Sequence, residues 1–402
     1  MGIVQRKLSR SFKAFFDSEK SSGILLIVCT AVSLIFANSI LGENYLSIWR
    51  MYIGPLSVEH WINDGLMAIF FLLIGLELKR ELYNGELSNF RNALLPIFAA
   101  AGGIILPALI HLFLNSGTPT QAGIGIPMAT DIAFALGALA ILGNRVPASL
   151  KVFVVAFAVL DDLCAIVIIA VFYTAELSAL YLVGALLVLA TLAAARFFAI
   201  KSLVIYLLVG ALAWYLMLKS GVHATIAGVL LAFAIPSSEL EDDEESPSYQ
   251  LEHLLHMPVA FVILPIFALC NTGIVIGADW AQNLTTSNSF GIIGGLVIGK
   301  PLGITLLSFA AVSFGICKLP LDLNWRHVFG AGLLGGIGFT MSIFITNLAY
   351  TDNALVINNS KMAILLASFT AGTAGFIWLK LFGQPEESDE DIDAMDFHVT
   401  EI

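Results

Sequence analysis

Charged residues are scarce in this chain of 402 residues, where they make up only 12% of the total. Soluble domains usually contain about 25% charged residues, so the composition excludes an ordinary soluble protein. Hydrophobic residues make up 58% of the chain, and the mean hydropathy is +0.90. We therefore expect an all-α polytopic membrane protein, whose lipid bilayer is its main surrounding partner.

Clusters of bases and paired cysteines are also missing. Lys and Arg form no basic patch with interleaved aromatics, so nothing favours a nucleic-acid partner. The four cysteines lie singly in apolar runs without Cys-x-x-Cys spacing, which favours packing over disulfides or zinc binding. Fourteen of the thirty acids lie in two short runs, 239–245 and 386–401, so the net charge of −11 identifies no partner. We expect no cofactor.

Apolar runs long enough to span a membrane recur along the chain. They cover residues 23–41, 60–84, 93–115, 121–143, 149–175, 178–197, 202–219, 221–235, 254–276, 290–315, 327–350 and 359–382. The sequence therefore predicts about twelve transmembrane helices, with eleven as the alternative because the short runs between 178 and 235 adjoin. The first run follows several bases, as in a signal peptide, but its length of about nineteen residues favours a retained span.

The distribution of Lys and Arg predicts the orientation. With a cytoplasmic N-terminus, fifteen of these residues lie on the inner side and three on the outer side, so we expect both termini in the cytoplasm. The predicted organisation is a cytoplasmic segment at 1–22, a transmembrane domain at 23–382 and an acidic, disordered cytoplasmic tail at 383–402. The outer connection 42–59 mixes β-branched and aromatic residues around Gly-Pro, which favours a short hairpin.

The fourth and eleventh runs are both interrupted near their middle by Gly or Pro. They contain GIGIPMATDIAFALGA and GAGLLGGIGFTMSIFITN. Interrupted spans in two halves of a chain indicate a transporter site, because unwound backbone is tolerated within a membrane only where it lines a cavity. Runs 3–5 and 10–12 would then be two repeats. Three spans in each repeat and four between them would make the repeats inverted.

Two adjacent aspartates lie in the middle of the fifth run. Asp161 is roughly 18 Å from the start of a helix that begins at Ser149, near the centre of the hydrocarbon layer. One acid at that depth costs about 2.5 to 3.5 kcal/mol, so Asp161 and Asp162 indicate a polar cavity, a bound cation or bound protons. A helix–helix hydrogen bond is the less favoured interpretation of the pair.

Three further polar side chains are placed at similar depth. Carboxylate oxygens of Asp161 and Asp162, together with the Thr130 hydroxyl, would suit an alkali cation, which prefers hard oxygen ligands. Asp131 and Lys300 could balance the partial charges of helix ends at the two interruptions. Purely structural roles for Asp131 and Lys300, for example in a salt bridge, remain alternatives.

Seven strings in this sequence resemble the NhaA family of sodium/proton antiporters, and they extend over residues 20–380. They are GLELKREL (75–82), ATDIAFALG (129–137), the pair Asp161-Asp162, SGVHAT (220–225), LEHLLH (251–256), GKPLGI (299–304) and GIGFTMSIFI (336–345). NhaA antiporters are themselves a standard example of inverted repeats, so the resemblance and the repeat prediction are not independent.

The resemblance implies a function and a site. It implies a secondary transporter of a bacterial inner membrane, not an enzyme, that extrudes Na⁺ and also Li⁺ in electrogenic exchange for H⁺ and so regulates pH and sodium. Asp161, Asp162 and Thr130 would bind Na⁺ and H⁺, and Asp131 and Lys300 would compensate charge. A homodimer joined through the 42–59 hairpin is also implied.

The resemblance further implies a cytoplasmic, pH-responsive cluster. Its members are Glu77, Arg80, Glu81, Glu252, His253 and His256. A metal site at Glu252, His253 and His256 is less favoured, because the spacing fits no zinc pattern. The acidic run 239–245 departs from the family pattern of bases before LEH. More negative charge there favours protonated histidines and attracts cations, which leaves the pH range of activation open.

Other functions fit some of these features. An intramembrane aspartyl protease also uses two buried aspartates, but adjacent residues on a helix project about 100° apart. A light-driven pump could bind retinal at Lys300, although twelve spans with two interruptions do not suit it. A passive cation channel would repeat its filter by symmetry and would not need a buried lysine. His223 in SGVHAT is best interpreted as a packed, hydrogen-bonded histidine near the outer surface.

Overall fold

The structure is a computed structural model. It describes residues 21–83, 85–173, 177–195, 202–237, 246–351 and 353–383. The N-terminal segment up to residue 20, the acidic run 239–245 and the tail from residue 384 lie outside the described residues, so the predictions about them stay predictions.

Helices account for most of the described residues. They are α1 (Ser21–Ala37), α2 (Gly42–Arg50), α3 (Val58–Tyr83), α4 (Phe90–Asn115), α5 (Ile132–Leu142), α6 (Ala148–Phe172), α7 (Ala179–Ala195), α8 (Leu203–Ser220), α9 (Ile226–Ala234), α10 (Pro247–Asn271), α11 (Trp280–Asn283), α12 (Ser287–Ser313), α13 (Trp325–Gly335), α14 (Phe339–Ala349) and α15 (Ala354–Phe382). Short 3₁₀ helices lie at Glu86–Ser88, Gln121–Met128 and Gly143–Arg145. The all-α, polytopic fold is as predicted.

The number of spans is smaller than predicted when each helix is judged by length. Within the described residues, eight helices are long and apolar enough to cross a membrane, or ten if the bent pairs α1–α2 and α13–α14 each count as one span. Runs 178–197 and 221–235 correspond to α7 and α9, which have only 17 and 9 residues. At 1.5 Å per residue α9 is roughly 13 Å long, so the predicted count of twelve is not confirmed.

Successive spanning helices alternate in direction and define two faces. We call the face with the two-stranded hairpin the hairpin face, and the face with residues Ser21 and Gly383 the terminal face. Contacts between helix ends agree with this division. Ser178 N–H donates to Ser220 O over 2.8 Å at the hairpin face, and Trp378 Nε1 donates to Arg326 O over 2.9 Å at the terminal face.

The predicted hairpin is present in the second half of the 42–59 connection, while α2 forms the first half. Strands β1 (Tyr52–Ile53) and β2 (Leu56–Ser57) pair antiparallel, and Gly54 turns the chain with φ of 65°. That φ lies in the left-handed region, which glycine adopts without steric cost. Trp61 Nε1 donates to Ile53 O over 2.9 Å and fixes the hairpin to α3.

Helices α4 and α12 pack backbone against backbone. A Cβ atom added to Gly102 on α4 would lie 2.0 Å from the carbonyl O of Gly303 on α12. Only glycine fits at such an approach. This contact joins the first helix of predicted repeat 3–5 to the first helix of predicted repeat 10–12, and each repeat has an interrupted span as its middle member.

Candidate cation-binding site

The two interrupted spans contact each other at their interruptions. The backbone is extended at residues 129–131, between the 3₁₀ helix and α5, and irregular at 336–338, between α13 and α14. The backbone N–H of Asp131 donates to the carbonyl O of Ile337 over 2.6 Å. The prediction of two broken helices that cross is confirmed.

Local sequence explains why the helices stop there. Pro127 lacks a backbone N–H and ends the 3₁₀ helix one residue later. At the second interruption, a Cβ atom on Gly336 would lie 2.4 Å from the carbonyl O of Leu296 on α12. Close packing against α12 therefore requires glycine at this position, and glycine also weakens the helix.

Asp131 caps two helices at once. Its Oδ1 accepts from the backbone N–H of Phe134 in the first turn of α5 over 3.2 Å. Its Oδ2 accepts from the backbone N–H of Thr340 in the first turn of α14 over 3.0 Å, and also from the Thr340 hydroxyl. A carboxylate in this position satisfies otherwise unpaired N–H groups and lies at two positive helix ends.

Lys300 forms a buried ion pair with Asp161. The Nζ atom of Lys300 lies 2.8 Å from Asp161 Oδ2, and it also donates to the Thr130 hydroxyl. Thr130 Oγ1 lies 2.7 Å from Asp161 Oδ2 and 3.0 Å from the carbonyl O of Gly335, the last residue of α13. Lys300 was expected beside the negative end of a helix. It instead contacts the carboxylate of Asp161, and Thr130 connects it to the C-terminal carbonyl of α13.

Asp161 and Asp162 are both 1% exposed. Oδ1 of Asp161 and Oδ1 of Asp162 are buried and have no hydrogen-bond partner within the described part of the chain. A buried carboxylate oxygen without a donor is costly, so it is a position where a proton or a hard cation binds favourably. Each of the two adjacent aspartates therefore has a buried acceptor oxygen without a donor, and Asp161 is joined to the first interruption through Thr130.

A π-helical turn precedes Lys300. Residues Gly295–Gly299 form this turn within α12, and Lys300 follows directly. Such turns rotate the residues that follow them and are frequent at functional sites. The sequence analysis missed this turn and also missed Thr340, the second donor to Asp131. The glycine-rich string GGLVIGK was the only sequence signal for the turn.

At the terminal face, part of the predicted pH-responsive cluster comes together. Arg80 on α3 forms an ion pair with Glu252 on α10, and its Nη2 lies 3.4 Å from Glu81. Glu252 is buried, whereas His253 is exposed and stacks on Tyr249 with ring centroids 3.9 Å apart. The cluster therefore has an ionic part between two helices and a histidine beside it.

Two residues on α3 connect this cluster to its surroundings. Lys79, which is 5% exposed, donates to the carbonyl groups of Ala232 and Ile235 at the end of α9. Cations are favourable at helix C-termini, so Lys79 stabilises this end. Sequence reasoning treated Lys79 only as an inner base. Glu77 lies half-buried on the same helix, one turn before Arg80 and Glu81.

His223 lies near the hairpin face and its Nε2 is 3.0 Å from the carbonyl O of Tyr173. The interpretation of this residue as a packed, hydrogen-bonded histidine is confirmed.

Comparison with known proteins gives a family and close relatives. Residues 13–379 match the sequence profile of the family described as Na⁺/H⁺ antiporter 1. The chain is 68% identical over 385 residues to a protein of Dechloromonas aromatica (strain RCB) named Na(+)/H(+) antiporter NhaA, covering 96% of this chain and 99% of that protein.

Two more distant relatives have the same printed name. The protein of Cytophaga hutchinsonii is 57% identical over 375 residues, which covers 93% of this chain and 96% of the relative. The protein of Vibrio campbellii is 47% identical over 380 residues, which covers 94% of this chain and 97% of the relative. The similarity thus covers the interrupted spans and the aspartate pair.

Proposed function

This chain belongs to the Na⁺/H⁺ antiporter 1 family and is a secondary transporter that exchanges Na⁺ for H⁺, and we propose that Asp161 and Asp162 bind both ions. The main observation in support is the pair of buried Oδ1 atoms of Asp161 and Asp162, which lack hydrogen-bond partners in the described structure. Thr130 supplies a further oxygen, 2.7 Å from Oδ2 of Asp161.

Competition between Na⁺ and H⁺ follows from the charges at this site. In the conformation described, Lys300 neutralises Asp161, so Na⁺ can use that carboxylate fully only after the ammonium withdraws or loses its proton. Either both aspartates release protons when Na⁺ binds, or one aspartate and Lys300 do. Both routes exchange two protons for one Na⁺, which makes the exchange electrogenic. We propose that Li⁺, another hard alkali cation, is transported as well.

Asp131 and Lys300 are proposed to compensate charge at the crossed interruptions. Asp131 lies at the positive ends of α5 and α14, and its carboxylate is 2% exposed. Lys300 offsets the negative charge of Asp161, whose other neighbour is the Thr130 hydroxyl. Both residues would therefore support the geometry and affinity of the site more than the exchange itself.

Regulation by pH is proposed for the terminal-face cluster of Glu77, Arg80, Glu81, Glu252, His253 and His256. The ion pair between Arg80 and Glu252 joins α3 to α10, so a change of protonation nearby would change the packing of these helices. The cluster and the aspartate pair are connected through α3, which packs against both α10 and α6.

The distribution of Lys and Arg supports a bacterial inner membrane location with the terminal face, and both termini, in the cytoplasm. The hairpin face would then be outside. We also propose that the hairpin joins two copies of the chain. Tyr52 and Ile53 in its first strand are 77% and 63% exposed, which gives an apolar edge strand for pairing.

A transport assay with purified protein tests the site. Proteoliposomes are energised with a proton gradient, and Na⁺-driven dequenching of a proton-sensitive dye is recorded across a pH series. Asp162→Asn and Asp161→Asn should abolish exchange, whereas Asp279→Asn, on an exposed connection, should not. Normal exchange by Asp162→Asn would overturn the assignment. Peptide cleavage or uncoupled Na⁺ leak would instead support a protease or a channel.

A further inference from the structure

Three asparagines from three separate helices form a hydrogen-bonded chain near the hairpin face. Nδ2 of Asn271 donates to Oδ1 of Asn63 over 2.9 Å, and Nδ2 of Asn347 donates to Oδ1 of Asn271 over 2.6 Å. Asn271 is 1% exposed, and the other two are half-buried. We call this set the amide triad. Nothing in the proposed ion site uses it.

A layer of phenylalanines lies on the same three helices, closer to the middle of the fold. Phe71 of α3 and Phe344 of α14 have ring centroids 5.4 Å apart, and Phe267 of α10 lies 6.4 Å from Phe344. All three are at most 1% exposed. Each helix thus contributes one amide and, one or two turns further in, one aromatic ring. The two layers together therefore join α3, α10 and α14 at two successive depths.

The amide triad joins two groups of helices. Asn347 is on α14, which packs against the 3₁₀ helix Gln121–Met128 and against α15. Asn63 and Asn271 are on α3 and α10, which pack against each other, and α3 also packs against α6, the helix of the aspartate pair. An alternating-access transporter must open this kind of boundary between helix groups to expose its central site.

Local backbone supports movement at this boundary. Asn63 lies in a π-helical turn, Trp61–Leu66, at the start of α3. Such turns are frequent at functional sites because they interrupt regular helix hydrogen bonding. Asn347 is on the helix that begins directly after the interruption at 336–338, where the chain bends by 47°. Asn63 thus lies in irregular backbone, and Asn347 lies near the end of a short helix that follows an interruption.

We propose that the Asn63–Asn271–Asn347 triad is the gate on the hairpin side of the cation path. In the conformation described the three amides satisfy one another and hold α14 against α3 and α10. When α14 moves away, Oδ1 of Asn271 loses its donor, Nδ2 of Asn347, and becomes a hard ligand for a partly dehydrated alkali cation. The inference rests on the proposed cation site at Asp161 and Asp162, towards which this path would lead.

Accessibility of a buried reporter tests the gate without transport. Thr346, which is fully buried one residue before Asn347, is changed to Cys after Cys29, Cys164, Cys270 and Cys317 have been replaced by Ala. A membrane-impermeant maleimide is added at the hairpin face. Asn271→Ala removes both links of the triad, so labelling of the reporter should become about fivefold to thirtyfold faster, the effect of one or two net hydrogen bonds.

The matched control is Asn115→Ala. Asn115 is also a fully buried amide in the hairpin half, with Nδ2 3.0 Å from His111 O and 3.1 Å from Ser287 O, but it lies outside the triad. The control should leave labelling of the Thr346→Cys reporter unchanged. Equal acceleration in both variants, or none in Asn271→Ala, overturns the proposal. If Asn271→Ala does not fold, Asn347→Ala removes the one link between α14 and α10 and should accelerate labelling about fivefold.

Sided transport kinetics give a second readout. A weakened gate populates the conformation open to the hairpin face, so the apparent KM for Na⁺ should fall at that face and rise at the terminal face. Equal changes of KM at both faces would show a merely structural role. Labelling is also measured in the Asp162→Asn background. Faster labelling there supports the gate even if exchange by Asp162→Asn refutes the cation site, so the two proposals fail separately.

Discussion

The Nζ atom of Lys300 lies 2.8 Å from Oδ2 of Asp161, and neither side chain has any solvent-exposed surface. This ion pair places a positive charge against one member of the aspartate pair, whereas Asp162 has no equivalent partner among the described residues. The two carboxylates are adjacent in sequence and yet differ in electrostatic environment. At the proposed cation site, exchange should therefore depend on how easily this ion pair opens.

Substitution of Lys300 should separate charge from proton transfer. Lys300→Ala leaves Asp161 buried without its cation, which should destabilise the protein by about 3–5 kcal/mol, and a further Asp161→Asn change should recover much of that loss. Lys300→Arg retains the charge and should keep some exchange. Thermal unfolding and dye dequenching measure both effects. Complete loss of exchange in Lys300→Arg at an unchanged melting temperature would identify Lys300 as a proton carrier instead.

Substitution of Asp131 should lower stability more than substitution of a residue that caps a single helix. Asp131→Ala removes the acceptor for N–H groups of α5 and α14, and each lost cap costs about 1 kcal/mol. Asn353→Ala is the matched control, because the Asn353 side chain caps α15 alone, accepting from Val356 N–H over 3.2 Å. The melting temperature should fall about twice as far for Asp131→Ala. Equal falls would argue against a double cap.

Exchange should respond to membrane potential. Two protons for each Na⁺ move one net charge inward when Na⁺ leaves the cell, and one charge is worth about 2.3 kcal/mol per 100 mV. An inside-negative potential, set with potassium and valinomycin, should therefore drive Na⁺ extrusion from proteoliposomes without a pH gradient. A rate and a final Na⁺ gradient that ignore the imposed voltage would require one-for-one exchange and the abandonment of the two-proton scheme.

The ion pair at the terminal face should affect the pH range of activity. Glu252→Gln removes a negative charge beside Arg80 and next to His253, which makes protonation of nearby groups less favourable. The pH at half-maximal exchange should therefore fall, while the maximal rate changes little. Asp322→Asn, in the connection between α12 and α13, removes an acid outside the cluster and is the control. An unchanged pH profile in Glu252→Gln would remove Glu252 from the cluster.

Positive charges introduced into the hairpin should prevent the association of two copies of the chain. Tyr52→Lys with Ile53→Lys places like charges opposite each other across a paired edge strand, while the backbone carbonyl that binds Trp61 is retained. Size-exclusion chromatography with light scattering should then detect monomers at a concentration where the unmodified chain is dimeric. Dimers of the substituted chain would place the interface elsewhere.

Much of the fold and part of the site follow from the sequence. Pro127 and the glycines around Ile337 predict the interruptions, because these residues cannot continue a helix or weaken it. The depth of Asp161, Asp162 and Lys300 follows from counting along apolar runs. A full span at run 221–235 is not confirmed, because its helix begins only at Ile226, which hydropathy does not show.

Pairing between distant segments could not be predicted in the same way. The contact of Lys300 with Asp161 joins residues 139 positions apart, and the link of Asn63 to Asn271 joins residues 208 positions apart. Both depend on which helix faces meet, and hydropathy is silent on that for helices that are apolar on every side. The depth of a residue in the membrane could therefore be predicted from the sequence, whereas its contact partner could not.

The backbone contact between Gly102 and Gly303 limits how the molecule can move. Two helix backbones in such contact cannot slide past each other without a steric clash. We therefore expect α4 and α12 to rotate together as one rigid body that includes Lys300. The ammonium of Lys300 would then approach and leave Asp161 through movement of these two helices, and not through rotation of its own flexible side chain. The range of this movement would depend on the absence of side chains at the two glycines. One added methyl group at either position would clash with the facing backbone and prevent the movement.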